Sequence, residues 1–283
     1  MTQGSTAAKS QSLIGDCAAA FMLLSRLPAS WYHFPADNPP DFTSALWAFP
    51  VVGLVIGGCG GMVFWAAMAF SLPPFFAAVM ALFVTLLLSG AMHEDGLADM
   101  ADGFGAGHDT ESKIRIMHDS HIGSYGVMAL VLASMARAGL LVALAAQLGG
   151  LALVLLIALT HAAARFLPVM QLALVPVSPH AKLASLTGYG GFWRAVAGLS
   201  VWSLPFLLAF GWQIALLASA PACLLAVFVA RMARRHVQGL TGDIMGATIL
   251  LGEIVFLASC LVAMELLAAP LPVTLFLTGN AGG

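Results

Sequence analysis

The sequence predicts an all-α, polytopic integral membrane protein, with about seven transmembrane helices and an N-terminal interfacial helix in a single domain over residues 1–283. Three observations predict it. Of the 283 residues 60% are hydrophobic and only 8% charged, whereas a soluble domain carries about 25% charged residues. Mean hydropathy is +0.95. The apolar residues also fall in runs of the length, roughly 20 residues, that carries a helix across about 30 Å of hydrocarbon. A soluble core has no room for such runs, so a soluble enzyme is excluded and the lipid bilayer becomes the first partner. The formal charge of −2 supplies no basic surface for a nucleic-acid backbone, which excludes nucleic acid as a partner.

Taken in order, residues 1–11 are small and polar around Lys9, lack the apolar stretch of a secretory signal, and read as a disordered tail. Residues 12–27 are apolar but interrupted by Asp16 and Arg26, which suits an interfacial helix better than a span. Pro28, Pro35, Pro39 and Pro40 then enforce an extended loop around Trp31, Tyr32 and His33. Spans are expected at about 46–70, 74–92, 124–147, 150–171, 194–212, 213–231 and 246–268. Ser71-Leu72-Pro73-Pro74 and Gly149-Gly150 are so short that the helices they join form tight antiparallel hairpins. The long connections, 93–123, 172–193 and 232–245, then lie on the other side with the N-terminal segment. They hold Lys9, Arg26, Lys113, Arg115, Lys182, Arg234 and Arg235, while the short ones hold no basic residue. By the positive-inside rule the N-terminus and long loops are cytoplasmic and the C-terminus is outside. Cys17, Cys59, Cys223 and Cys260 show no C-x-x-C spacing and read as buried, reduced thiols.

Charge is concentrated in one segment. Residues 93–124 hold Glu94, Asp95, Asp99, Asp102, Asp109, Glu111 and Asp119, seven of the thirteen acids. If the second span continues as a helix past His93, Asp95, Asp99 and Asp102 share one face at i, i+4 and i+7. Three carboxylates so placed repel one another unless a cation sits among them, and a hard cation such as Mg²⁺ is held by a few carboxylates together with substrate phosphates. Glu94 stands off that face and is a metal candidate acting through a neighbouring ligand. Gly103 is expected to end this helix, and either Asp109 or Thr110 to cap a short one running to about Met117. Lys113, Arg115, His118 and His121 interleave with the acids, and Gly123 lets a backbone amide approach a phosphate. Acids for a metal beside cations and glycines describe a phosphoryl-transfer site. On other spans, His161 and Arg165 stand at i, i+4 and face either a ligand cavity or another helix. Asp243 either joins the site or caps the last helix. Arg137 and Glu253, both mid-span, are expected to pair.

With these residues set out, the chain resembles the adenosylcobinamide-GDP ribazoletransferase family, also called cobalamin-5′-phosphate synthase. The family's H-x-D-G-L-A-D-x-A-D-G signature appears as His93-Glu94-Asp95-Gly96-Leu97-Ala98-Asp99-Met100-Ala101-Asp102-Gly103, and its D-S-x-I-G-x-Y-G signature as Asp119 through Gly126. Weaker echoes are Arg26-Leu27-Pro28, Phe49 to Gly53, His161 to Arg165, and Gly242-Asp243 with Gly246-Ala247. The chain departs from the family at His118 and His121, where lysine or arginine is frequent. The resemblance implies a Mg²⁺-dependent enzyme of the bacterial cytoplasmic (inner) membrane. It would join adenosylcobinamide-GDP to α-ribazole 5′-phosphate, or α-ribazole, releasing GMP. Further partners would be a second copy or other corrinoid-pathway enzymes.

The attacking ribose hydroxyl needs a base. Asp119 leads, with Asp102, Asp243 and His93 as alternatives, and Asp119 also suits a plain turn tie. Among other classes, the CDP-alcohol phosphotransferase pattern starts at Asp99-x-x-Asp102-Gly103-x-x-Ala106 but fails at Gly107, Ile116 and Ser120. A cation transporter would instead place its carboxylates at mid-span on broken helices.

The orientation is open to labelling. With the native cysteines replaced, Ser112→Cys should react with an impermeant maleimide only after permeabilisation, and Gly149→Cys in intact cells; labelling of Ser112→Cys in intact cells would reverse the assignment.

Overall fold

The computed structural model describes residues 11–36, 39–181 and 184–267. The expected N-terminal tail, with Lys9, and also Lys182 and residue 268 of the last run, lie outside the described residues. Gln11, placed in that tail from sequence, is instead anchored: its side chain donates to Asp16 (3.1 Å) and accepts from the Asp41 amide (2.8 Å).

Among the described residues the helices are α1 (Leu13–Leu24), α2 (Phe49–Ala69), α3 (Pro74–Ser89), α4 (Met92–Ala106), α5 (Thr110–Met117), α6 (Ser124–Gln147), α7 (Gly150–Leu174), α8 (Phe192–Val237) and α9 (Gly242–Leu267). Short 3₁₀ turns at Ser44–Ala48 and Ala184–Leu186 complete them, and the β structure described is one isolated parallel bridge, Val177 to Leu240. The chain is all-α, as the sequence predicts, and its long apolar helices make it a multi-pass membrane protein. Large apolar side chains such as Phe75, Phe83, Leu208, Leu224 and Phe228 face outward, where only lipid accepts them without cost.

α1 begins at Ser12, whose hydroxyl accepts from the Gly15 amide. It exposes Leu13 and Ile14 and buries Asp16, which takes hydrogen bonds from Ser44 Oγ (2.6 Å) and Trp47 Nε1 (2.8 Å). α1 is thereby fastened to the turn that starts α2. α7 is the axial helix, with every residue from Leu156 to Val169 buried. Its closest neighbour is α2, which presents Gly53, Gly57 and Gly61 at i, i+4 and i+8; a Cβ at Gly57 would lie 2.7 Å from His161 Cβ, and one at Gly61 3.0 Å from Val154 Cα. Without a hydrophobic driving force between helices in lipid, this close approach is what holds the pair.

Five helices among the described residues are long and apolar enough to cross a membrane, or six when the bent pair α3–α4 is taken as one. The difference from seven runs lies in α8. Its 46 residues contain Gly211 at φ 81, ψ 164, outside helical geometry. One cavity is lined by Leu199, Trp202 and Ser203 and also by Ser219, Ala222 and Cys223, although in a straight helix residues 202 and 222 would be roughly 30 Å apart. The chain therefore folds back at Gly211 into two antiparallel limbs, 192–210 and 212–237, where the sequence places two spans.

The acidic helix departs from expectation in two ways. It does not continue the second span: Gly90 (φ 70) and Ala91 (φ 58) are both left-handed, and α4 leaves α3 at 90°. Residues 94–106 thus lie beyond the apolar run and turn away from its axis. Gly103 does not end α4 either, because it is packed inside the helix against Met117 and Lys113 of α5, and α4 runs on to Ala106. Of the four cysteines, all free, only Cys260 is buried and Cys59 is exposed, which corrects the expectation of four buried thiols.

Gly57→Val should overpack the α2–α7 contact at a cost of about 1–3 kcal/mol, seen as a lower Tm in detergent; an unchanged Tm would mean the two helices separate freely there.

Candidate functional site

The long connections meet at one end of the bundle. Ser178 N donates to Leu240 O (2.9 Å) and Leu240 N to Pro176 O (3.0 Å), while Ser178 Oγ reaches Val237 O (2.7 Å). These bonds tie 172–191 to the segment between α8 and α9. α5 starts at Asp109, which accepts from Ser112 N (2.7 Å) in a reciprocal capping box, and Thr110 Oγ1 donates to His236 O (2.9 Å) at the end of α8. Both choices left open for that cap are thus in use, Asp109 for the helix and Thr110 for the tie.

α4 lies across the start of α9 at backbone contact. A Cβ at Gly96 would stand 2.6 Å from Asp243 O, and one at Gly246 3.2 Å from Met92 O. The start of α9 thus packs backbone to backbone on α4, close enough for the Asp243 charge to act on Asp99. Asp99, half-buried, feels Asp95, Asp243 and Asp102, and burial first and these three charges next push its carboxyl up to about 7. Thr241 Oγ1, at 3.3 Å from Ile244 N, serves the first turn of α9 in the role considered for Asp243.

Several residues singled out from sequence are placed elsewhere. Glu94 is not on the aspartate face: Arg137 Nη1 pairs with it at 3.0 Å. Asp102 is on the face, but its two oxygens accept from Gly123 N (2.7 Å) and Gly126 N (2.9 Å), so it caps α6, and the Gly123 amide is bonded to it and not turned to a phosphate. His93 (3% exposed), His161 (5%) and Arg165 (1%) are sunk in the bundle. They surround Glu253: Arg165 Nη1 lies 3.3 Å and His161 Nε2 3.6 Å from it, and Arg137 Nη2 2.8 Å. Arg137 and Glu253 do pair. His161 and Arg165 meet Glu253 inside the bundle, whereas His93 also lines a cavity with Leu24, Phe49 and Met245; for such polar residues the sequence alone leaves open whether they meet each other or a ligand.

Lys113 is buried along its stem against Gly107, and Arg115, His118 and His121 are exposed. Asp119 accepts from His121 N (3.0 Å) and His121 Nδ1 (2.7 Å); the His121 amide first and its ring second hold that carboxyl below the usual range. Arg26, part of the Arg26-Leu27-Pro28 motif noted in the sequence, lays its stem over Gly90 at the bend.

Among the described residues no three His, Cys, Asp or Glu side chains converge to hold a metal ion as they stand. The donor chemistry nevertheless suits Mg²⁺: carboxylates that oppose one another at Asp99, in the small number that Mg²⁺ uses when phosphates complete its shell.

The chain was compared with known proteins. A sequence model described as Cobalamin-5-phosphate synthase matches residues 16–261. Among curated relatives, proteins named adenosylcobinamide-GDP ribazoletransferase are 38% identical in Bradyrhizobium diazoefficiens, over 87% of this chain and 93% of the relative. Those of Azorhizobium caulinodans are 35% identical over 88% and 96%, and of Mesorhizobium japonicum 36% over 89% and 95%. No solved structure matches.

The raised Asp99 carboxyl has a signed consequence. Between its ordinary 3.8 and about 7, the folded protein holds a proton there that the unfolded chain releases, so without a divalent cation stability should fall as pH rises through that window. A Mg²⁺ ion taken up there would have to displace that proton. The rise in Tm on adding Mg²⁺ should be larger at pH 8 than at pH 6, and an equal rise would detach Asp99 from the cation.

Proposed function

The chain belongs to the cobalamin-5-phosphate synthase family, and we propose from that premise that it joins adenosylcobinamide-GDP to α-ribazole 5′-phosphate, or α-ribazole, with release of GMP. The observation that carries the reading is the packing of α4 on the start of α9, which brings the charges of Asp95, Asp102 and Asp243 to bear on Asp99. A diphosphate brings negative charge, and these carboxylates accept it only through a shared cation. Asp95, Asp99 and Asp243 would hold Mg²⁺, which supplies charge neutralisation on the diphosphate during transfer. Asp102 holds the N-terminus of α6 in place beside them.

The step forms one bond from a ribose oxygen to the corrinoid-side phosphorus and breaks the bond from that phosphorus to the bridging oxygen, which leaves on GMP. The hydroxyl proton must go to a base. In the Asp119–His121 pair the carboxylate accepts from Nδ1, here assigned the proton, and so turns Nε2 outward as the acceptor. This gives Asp119 an orienting part and His121 the proton-accepting one, the relation that a carboxylate has to an imidazole in other hydroxyl-activating sites. Exposed Arg115, in the last turn of α5, and His118, just after it, precede this pair and suit the outer phosphates.

The acidic end is proposed to face the cytoplasm of the bacterial inner membrane. Arg231, Arg234 and Arg235 are exposed at the same end, on the last turns of α8, as the positive-inside rule requires, and the nucleotide substrates are too polar to cross unaided.

Purified protein supplied with Mg²⁺, adenosylcobinamide-GDP and α-ribazole 5′-phosphate should release one GMP per cobalamin product, and no GMP under these conditions would refute the assignment. Asp119→Asn and His121→Gln should each lower kcat about 10²-fold with KM little changed. Full activity in a folded His121→Gln variant would move the base elsewhere.

A further inference from the structure

The charges around Glu253 take no part in the reaction described above, yet they reach the reacting helix. Arg137 of α6 contacts Glu94 of α4 at 3.0 Å and Glu253 of α9 at 2.8 Å, with side chains 7%, 14% and 2% exposed. Arg165 of α7 contacts the same Glu253, and a small enclosed gap is walled by these groups together with His93 and His161. Glu94 is the sequence neighbour of Asp95, and consecutive helical residues point about 100° apart. Whatever holds Glu94 therefore sets the direction of Asp95 and of Asp99 one turn later.

We propose that the Arg137 bridge between Glu94 and Glu253 is a positioning device that fixes the rotation of α4, so that Asp95 and Asp99 stand opposite Asp243 and receive a divalent cation there. The inference rests on the reading of that face as the cation site. The packing of α4 and two general properties of ion pairs support it. Gly96 meets Asp243 backbone at a distance that no Cβ tolerates, so turning α4 would bring Asp95 or Leu97 into α9, and the glycine and the ion pair agree on one setting. A buried ion pair adds little net stability relative to apolar packing, and specifying register is its best-attested use. The planar fork of Arg137 presents Nη1 to Glu94 and Nη2 to Glu253 in one fixed geometry, where lysine offers a point charge.

The test is Mn²⁺ binding, followed by electron paramagnetic resonance on the full chain in detergent without substrate, with Tm as the check on folding. Arg137→Gln should weaken Mn²⁺ binding at least about tenfold, as loss of a group that orients metal ligands does. A mere field effect has the opposite sign, because removing a cation near the site tightens cation binding. Arg137→Lys keeps the charge and loses the fork, so its binding should fall between wild type and Arg137→Gln; a field effect leaves it at the wild-type value. If Arg137→Gln does not fold, Arg137→Lys decides alone. Wild-type or tighter binding in folded Arg137→Lys overturns the proposal while leaving the cation site standing. Asp99→Asn is the separate control: binding unchanged in that variant overturns the cation site itself and the inference with it.

Discussion

A helix that carries four carboxylates docks on an apolar bundle only where the charge it brings inside is cancelled, and for α4 the cancelling group is Arg137. Glu94 is the acid that turns inward, and its partner stands 3.0 Å away on α6. At the far end of the same helix Asp102 is also satisfied by α6, through the amides of Gly123 and Gly126. α4 is thus gripped by α6 at both ends and pressed on α9 through Gly96 and Gly246. Asp95 and Asp99 lie between the two grips, on the side that meets Asp243. Among the described residues Asp95 and Asp99 take part in no ion pair or amide hydrogen bond of the kind that holds Glu94 and Asp102, which is why the proposed function assigns a cation to them.

The low dielectric that makes isolated charges costly in the bundle also explains the company that Arg137 keeps. Glu253 shares two arginines, so with uncharged imidazoles at His93 and His161 the two acids and two arginines sum to zero. Removing any one member leaves an uncompensated charge, which is far costlier than the whole set is stabilising. The requirement spreads over α4, α6, α7 and α9. It also explains the glycines of α2: His161 sits where Gly53 and Gly57 let α2 close over α7, sealing the charges from lipid.

Much of this was legible in the sequence because bilayer length and tight turns leave strong local marks. The hairpins at 71–74 and 149–150, the Asp109 start of α5 and the shared face of Asp95, Asp99 and Asp102 all follow from short-range rules. The bend after α3 does not, because the second left-handed residue is Ala91, a residue with no preference for that conformation. Gly103 carries the mark of a helix end, yet its lack of a side chain serves the packing of Met117. Helical spacing set Glu94 off the face of Asp95, but it did not reveal that Arg137 holds Glu94 or that both oxygens of Asp102 are taken by amides. Such assignments depend on contacts from α6 and α9, 20 to 160 residues away along the chain.

The right angle between α3 and α4 resolves a conflict that any membrane-bound enzyme of polar substrates faces. Had the second span simply continued, the acidic helix would have run on along the span axis instead of at 90° to it. By turning at Gly90 and Ala91, the chain lays the acidic helix across the start of α9 and beside the N-terminus of α6. Apolar helices then fix its position from the membrane side, while its aspartates face the end where the long polar connections gather. The bilayer thereby supplies rigidity to a charged surface that, on a loop of the same composition, would be dispersed by its own repulsion.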